Sequence, residues 1–142
     1  MKPAVFDRVL VAIDNSPQAS GVVAAAASLA SKYGSEVMVV HVQEPVTAET
    51  GDHIETLRDC EELVGWALDE LEKQGVHGGA ECLPYSLRET AQGKRILEAA
   101  QTFKADLVIL GSRGHSTVGG LIGGSVSRTV TKDATCSVMV VR

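Results

Sequence analysis

The chain has 142 residues, 44% hydrophobic and 22% charged, with 14 glycines and 4 prolines, which fits a single domain over 1–142 and excludes a second one of full size. At this length folding buries roughly 70% of the unfolded surface, so a core needs neither disulfide nor metal. Thirteen Lys and Arg against eighteen Asp and Glu leave a net charge of −5, a field that repels nucleic acid and anionic membranes.

The first predicted element is a strand over 9–13, a continuous β-branched run too short for a helix. Ser16 followed by Pro17 reads as an N-cap and first helical position; Val22, Ala26, Leu29, Ala30 and Tyr33 then share one helix face until Gly34. A second strand covers 37–40. A second helix carries Leu57, Cys60, Val64, Ala67, Leu68 and Leu71 on its apolar stripe and ends near Gly75. The weaker pattern over 79–83, closed by Pro84, reads as an edge strand. Ile96, Leu97, Ala100 and Phe103 mark a third helix, 107–110 a strand, the stretch from near Ser125 to Lys132 a short helix, and 138–141 a last strand.

Strands that are apolar without alternation are covered on both faces. Their alternation with helices therefore predicts an α/β fold, a three-layer, doubly wound parallel sheet of Rossmann-like type. In such sheets ligands sit beyond the C-terminal strand ends, where strand order reverses. The residues to inspect follow Ile13, Val40 and Leu110.

After the 107–110 strand, six glycines fall within the fourteen residues 111–124. Placed between a buried strand and a helix start, they let backbone N–H groups converge on a phosphate chain. The helix N-terminus near Ser125, the hydroxyls of Ser125 and Ser127, and the charges of Arg113 and His115 would assist. A flexible surface loop is the alternative. The stretch is not a Walker A loop, since Gly93-Lys94 lacks the upstream glycine and continues with Arg95, and no G-x-G-x-x-G follows the first strand.

Asp14, at the tip of the first strand, suits ribose, adenine or a phosphate-bound cation; capping of the following helix by Asp14 or Ser16 is the alternative. His41 reads as a packed strand residue, and His53 and His77 as solvated. Cys60, Cys82 and Cys136 show no C-x-x-C pair or zinc spacing and are expected to be three reduced thiols. No serine or cysteine nucleophile has a base at recognisable spacing. Met1-Lys2-Pro3 begins no secretory signal, and no apolar run approaches the ~20 residues of a membrane span, so a cytoplasmic location is expected, without membrane or nucleic-acid partners.

The segments Val9-Leu10-Val11-Ala12-Ile13-Asp14-x-Ser16, Val39-Val40-His41-Val42, Ala105-Asp106-Leu107-Val108-Ile109-Leu110-Gly111-Ser112-Arg113-Gly114 and Gly124-Ser125-Val126-Ser127 resemble the universal stress protein family across nearly the whole chain. The most specific element is G-x2-G-x9-G-[ST], matched by Gly111, Gly114, Gly124 and Ser125. The resemblance implies five parallel strands in the order 3-2-1-4-5, a homodimer through the last strand, and ATP, alone or with Mg2+, between the first and fourth strand tips. Ala12, Asp14 and Val42 would line the adenosine end, with Val42 offering backbone hydrogen bonds to adenine. Leu110, Gly111, Gly114, Gly124, Ser125 and Val126 would surround ribose and phosphates. Two departures stand out: Cys136-Ser137 replaces the usual Cys-Pro, and 85–93 is longer than the common turn.

The expected function is an ATP-binding stress-response or signalling module whose nucleotide occupancy biases a partner protein not identifiable from sequence. The alternative is a slow ATPase or nucleotide-transferring enzyme. Efficient phosphoryl transfer needs a positioned nucleophile, metal pair or arginine clamp, and none stands out here. An apolar final strand at a sheet edge independently predicts a C2 homodimer through 137–141.

Overall fold

The computed structural model describes residues 6–46, 49, 51–85, 91–112 and 124–142. In chain order it contains β1 (Arg8–Ala12), α1 (Ala19–Tyr33), β2 (Glu36–Val42), β3 (Pro45–Val46), β4 (His53–Ile54), α2 (Leu57–Lys73), β5 (Gly78–Leu83), α3 (Ala91–Phe103), β6 (Leu107–Gly111), α4 (Ser125–Asp133) and β7 (Ser137–Val141). Five strands form a parallel sheet in the order β5-β2-β1-β6-β7. The expected label 3-2-1-4-5 counted five strands. Chain order among the described residues runs to β7, because β3 and β4 pair antiparallel as a separate small sheet that periodicity did not reveal.

The β-branched runs form the central strands because both of their faces are covered. Val9, Val11, Val37, Val39 and Ile109 pack against α1 and α2, while Leu10, Val40, Val108 and Leu110 pack against α3 and α4. Val9, Leu10, Val11, Val39, Val40, Val108 and Ile109 are fully shielded from solvent. Fully burying one such side chain is worth about 1.5–3 kcal/mol, so the strands flanking the centre anchor everything attached to their tips.

Two local features differ from expectation. The first helix starts at Ala19, with Gln18 in the cap position and no side-chain cap bond. Ser16 contributes its carbonyl, which accepts from Ala19 N–H at 3.1 Å, while Asp14 Oδ1 accepts from Ser16 N–H at 3.2 Å. The strand tip thus turns before the helix begins. Gly34 closes α1 in the left-handed conformation at φ 66°, with its N–H donating to the Ala30 carbonyl.

The second difference concerns the cysteines. Cys60 and Cys82 are joined in a disulfide, with Cα atoms 6.1 Å apart, which corrects the expectation of three thiols. Cys60 lies on the buried stripe of α2, and β5 holds Cys82 directly across from His41 of β2, so docking α2 on the sheet brings the two together. A separation of 22 residues carried no sign of that contact. Cys136 is free, and burial pushes its thiol up from the ordinary value.

Candidate functional site

In a parallel sheet the C-terminal strand ends gather on one side. The chain winds from β1 outward to β2 and β5, then returns across β1 to β6 and β7. The reversal lies between β1 and β6, whose following helices α1 and α4 pack on opposite faces of the sheet. A cavity of about 350 Å³ opens at that point, within the usual range for small-molecule sites.

The first wall comes from the β1 and β2 tips. Ala12 and Asp14 line the cavity, with Asp14 half-buried and one of its oxygens holding the Ser16 turn. Val42 lines the same wall. Gln43 N–H donates to the Leu83 carbonyl at 2.8 Å, so the Val42 peptide, one residue back along the strand, faces the opposite way, towards the side where β1 has ended. A donor and an acceptor on one extended residue match the donor–acceptor edge of a base. Ser16 Oγ, beside this wall, is buried without a hydrogen-bond partner among the described residues.

The opposite wall is the β6 tip and the start of α4. Leu110, Gly111, Gly124, Ser125 and Val126 line it. A Cβ at Gly111 would stand 2.8 Å from Gln18 Oε1, so glycine permits the start of α1 to approach β6 closely. Gln18 Nε2 reaches Ser112 Oγ at 3.1 Å across this junction. Gly124, the N-cap of α4, makes no side-chain cap bond, and its N–H donates to the Ser112 carbonyl at 2.7 Å. The α4 first turn thereby aims its amides, which have no partner within the helix, and its positive dipole end at the cavity, an arrangement suited to phosphate. Ser127, expected to donate to a phosphate, donates instead to the Gly124 carbonyl at 3.0 Å.

Eight of the nine residues expected at the site, Ala12, Asp14, Val42, Leu110, Gly111, Gly124, Ser125 and Val126, therefore line one cavity. Gly114 lies outside the described residues, as do Arg113, His115 and most of the 85–93 segment.

Residues 6–142 match the Universal stress protein family. The chain belongs to that family. A universal stress protein of Thermus aquaticus, encoded in the 3' region of a QAH/OAS sulfhydrylase, is 37% identical over 144 residues, covering 97% of this chain and 100% of that one. The solved universal stress protein of Archaeoglobus fulgidus is 27% identical with a TM-score of 0.72, over 97% of this chain and 95% of that chain. A second Archaeoglobus fulgidus structure, in complex with dAMP, is 24% identical with a TM-score of 0.71, over 98% and 100%.

Sequence reasoning missed several lining residues of this universal stress protein. His41, Glu44, Gln92 and Ile96 also line the cavity. His41 is 1% exposed, with Nδ1 2.7 Å from the Ile13 carbonyl and Nε2 2.7 Å from Glu55 Oε2. A polar residue inside an apolar, valine-rich run was the available signal, because a buried imidazole demands partners. Its partner, fourteen residues on and beyond the β3–β4 pair, had no signal at all. Among the described residues no group of three His, Cys, Asp or Glu gathers to hold a metal ion, and no helix is long and apolar enough to cross a membrane.

Proposed function

We propose that this universal stress protein binds ATP in the cavity at the β1 and β6 tips and acts as a stress-response or signalling module whose nucleotide occupancy biases its protein contacts. The observation that carries the reading is the meeting, in one cavity, of a strand residue with its peptide turned inward and an α4 N-terminus without a side-chain cap. One end suits a base and the other an anion. Ala12, Asp14 and Val42 would hold the adenosine, and Leu110, Gly111, Gly114, Gly124, Ser125 and Val126 the ribose and phosphates. The dAMP complex of the Archaeoglobus fulgidus relative supports a nucleotide as the class of ligand.

Mg2+ would enter with the phosphates. It commonly binds through one or two carboxylates, waters and phosphate oxygens, and Asp14 and Glu44 are carboxylates of the lining. The module would work in the cytoplasm as a C2 homodimer joined through 137–141.

Mass spectrometry of small molecules released from freshly purified, denatured protein should find an adenine nucleotide; a molecule of another class there would defeat the reading. By calorimetry, Asp14→Ala should weaken ATP binding by about tenfold, or ~1.4 kcal/mol. Unchanged affinity in the folded variant would assign Asp14 to the turn alone.

A further inference from the structure

His41 is an imidazole in a strand segment whose neighbours are valines, and both of its ring nitrogens face oxygen. Nδ1 stands 2.7 Å from the Ile13 carbonyl and so donates to it; a second proton lies between Nε2 and Glu55 Oε2, also 2.7 Å apart. Glu55 is itself held in place. Its Oε2 accepts from Glu44 N–H at 3.1 Å, its own N–H donates to the Glu44 carbonyl at 2.8 Å, and its carbonyl accepts from Gln43 Nε2 at 2.9 Å. The imidazole is thus oriented from the base of the β3–β4 pair.

The consequence lies in the β1–β2 ladder. Its paired register ends at Ala12 opposite Val40, and Ile13 N–H adds one more bond to the Val40 carbonyl at 3.0 Å. In a parallel ladder the next bond would run from Val42 N–H to the Ile13 carbonyl. His41 Nδ1 stands at that carbonyl instead. We propose that His41, oriented by Glu55, is a positioning residue that takes the Ile13 carbonyl out of the ladder and thereby presents the Val42 N–H to the base of the bound nucleotide. This rests on the nucleotide reading above. The ladder stops one bond early, and the freed donor becomes the recognition group.

Two variants differing only at position 41 test it. Glu55→Gln serves as the background, replacing the carboxylate whose Oε2 meets both His41 Nε2 and Glu44 N–H. The double variant His41→Leu/Glu55→Gln removes the imidazole without stranding a buried carboxylate, and thermal melting would verify that both fold. Amide exchange by NMR should show Val42 exchanging fast in the ligand-free wild type and slowly in the double variant, where the ladder bond closes. Calorimetry should show ATP affinity about tenfold weaker for the double variant than for Glu55→Gln. A protected Val42 amide in the ligand-free wild type would overturn the inference, as would unchanged ATP affinity in a folded double variant. A wild type that binds no ATP would defeat the nucleotide reading, and the Val42 exchange contrast would still decide the ladder.

Discussion

At one edge of the sheet, β5 is clasped to α2 by the Cys60–Cys82 bond, shows Glu81 to solvent and ends at Pro84. At the other edge, β7 presents Met139 and Val140 at 36% and 40% exposure, with no charge before Arg142. A charge, a proline and a short strand are the usual ways of blunting an edge against unwanted pairing. The first edge has the charge and the proline plus a covalent tie to its covering helix; the second has none of these. The difference teaches that exposure alone does not mark an interface. What distinguishes β7 is exposure combined with apolar side chains and no device against pairing, and that combination motivates the homodimer proposal.

The largest expected effect comes from breaking the open edge. The Val141 carbonyl accepts from Ser112 N–H at 2.8 Å, so the peptide of Val141 faces β6 and that of Val140 faces outward. Val140→Pro removes an outward donor and leaves the β6–β7 ladder its own bonds. Light scattering should show the wild type as a dimer and the variant as a monomer. A folded variant still running as a dimer would place the interface elsewhere.

An intermediate effect is expected at the clasped edge. Closing a loop of 22 residues restricts the unfolded chain by about 3 kcal/mol in the loop-entropy account. Reduction with dithiothreitol should therefore lower the urea midpoint without changing the mass in solution. Equal midpoints in the oxidised and reduced protein would remove the clasp from the description of that edge. Cys136, whose thiol burial holds above its ordinary value, should react slowly with alkylating reagents at neutral pH in the native protein.

The smallest effect sharpens the same edge from the helix side. α2 begins with a capping box in which Thr56 Oγ1 accepts from Asp59 N–H at 3.1 Å and Thr56 N–H donates to Asp59 Oδ2 at 3.2 Å. The Thr56 bonds to the Asp59 carboxylate, side chain first and backbone second, hold it below the ordinary value. A depressed carboxylate stabilises the fold above its unfolded pKa and loses that contribution as pH falls through the folded one. The cap should therefore weaken below about pH 4. Thr56→Ala should flatten this part of the acid melting curve; an acid limb identical to wild type would show that the box contributes nothing.

Much of the fold was legible because it rests on local periodicity. The short β-branched runs became β1, β2, β6 and β7, and the helical stripe of Leu57, Cys60, Val64 and Leu71 became α2. The weak pattern closed by Pro84 became the edge strand β5. The site was legible where glycine spacing and a strand-end carboxylate carry chemistry in their identity alone. The start of α1 was misplaced because Ser16-Pro17 has the composition of a cap, while the Asp14–Ser16 turn at the strand tip delays the helix to Ala19.

By itself the sequence determined the layers of this universal stress protein, the parallel sheet and the end of the sheet where a ligand would sit, since each follows from the spacing of apolar residues and glycines along a short stretch. Tertiary structure alone decided what joins distant segments. Cys60 meets Cys82 only because α2 docks over β2 and β5, and Glu55 meets His41 only because β3 and β4 fold back over the strand tips. Side-chain period reports which face of an element is buried and is silent on which other element lies against it. For that reason the groups that pin the cavity wall in place came from positions with no pattern of their own.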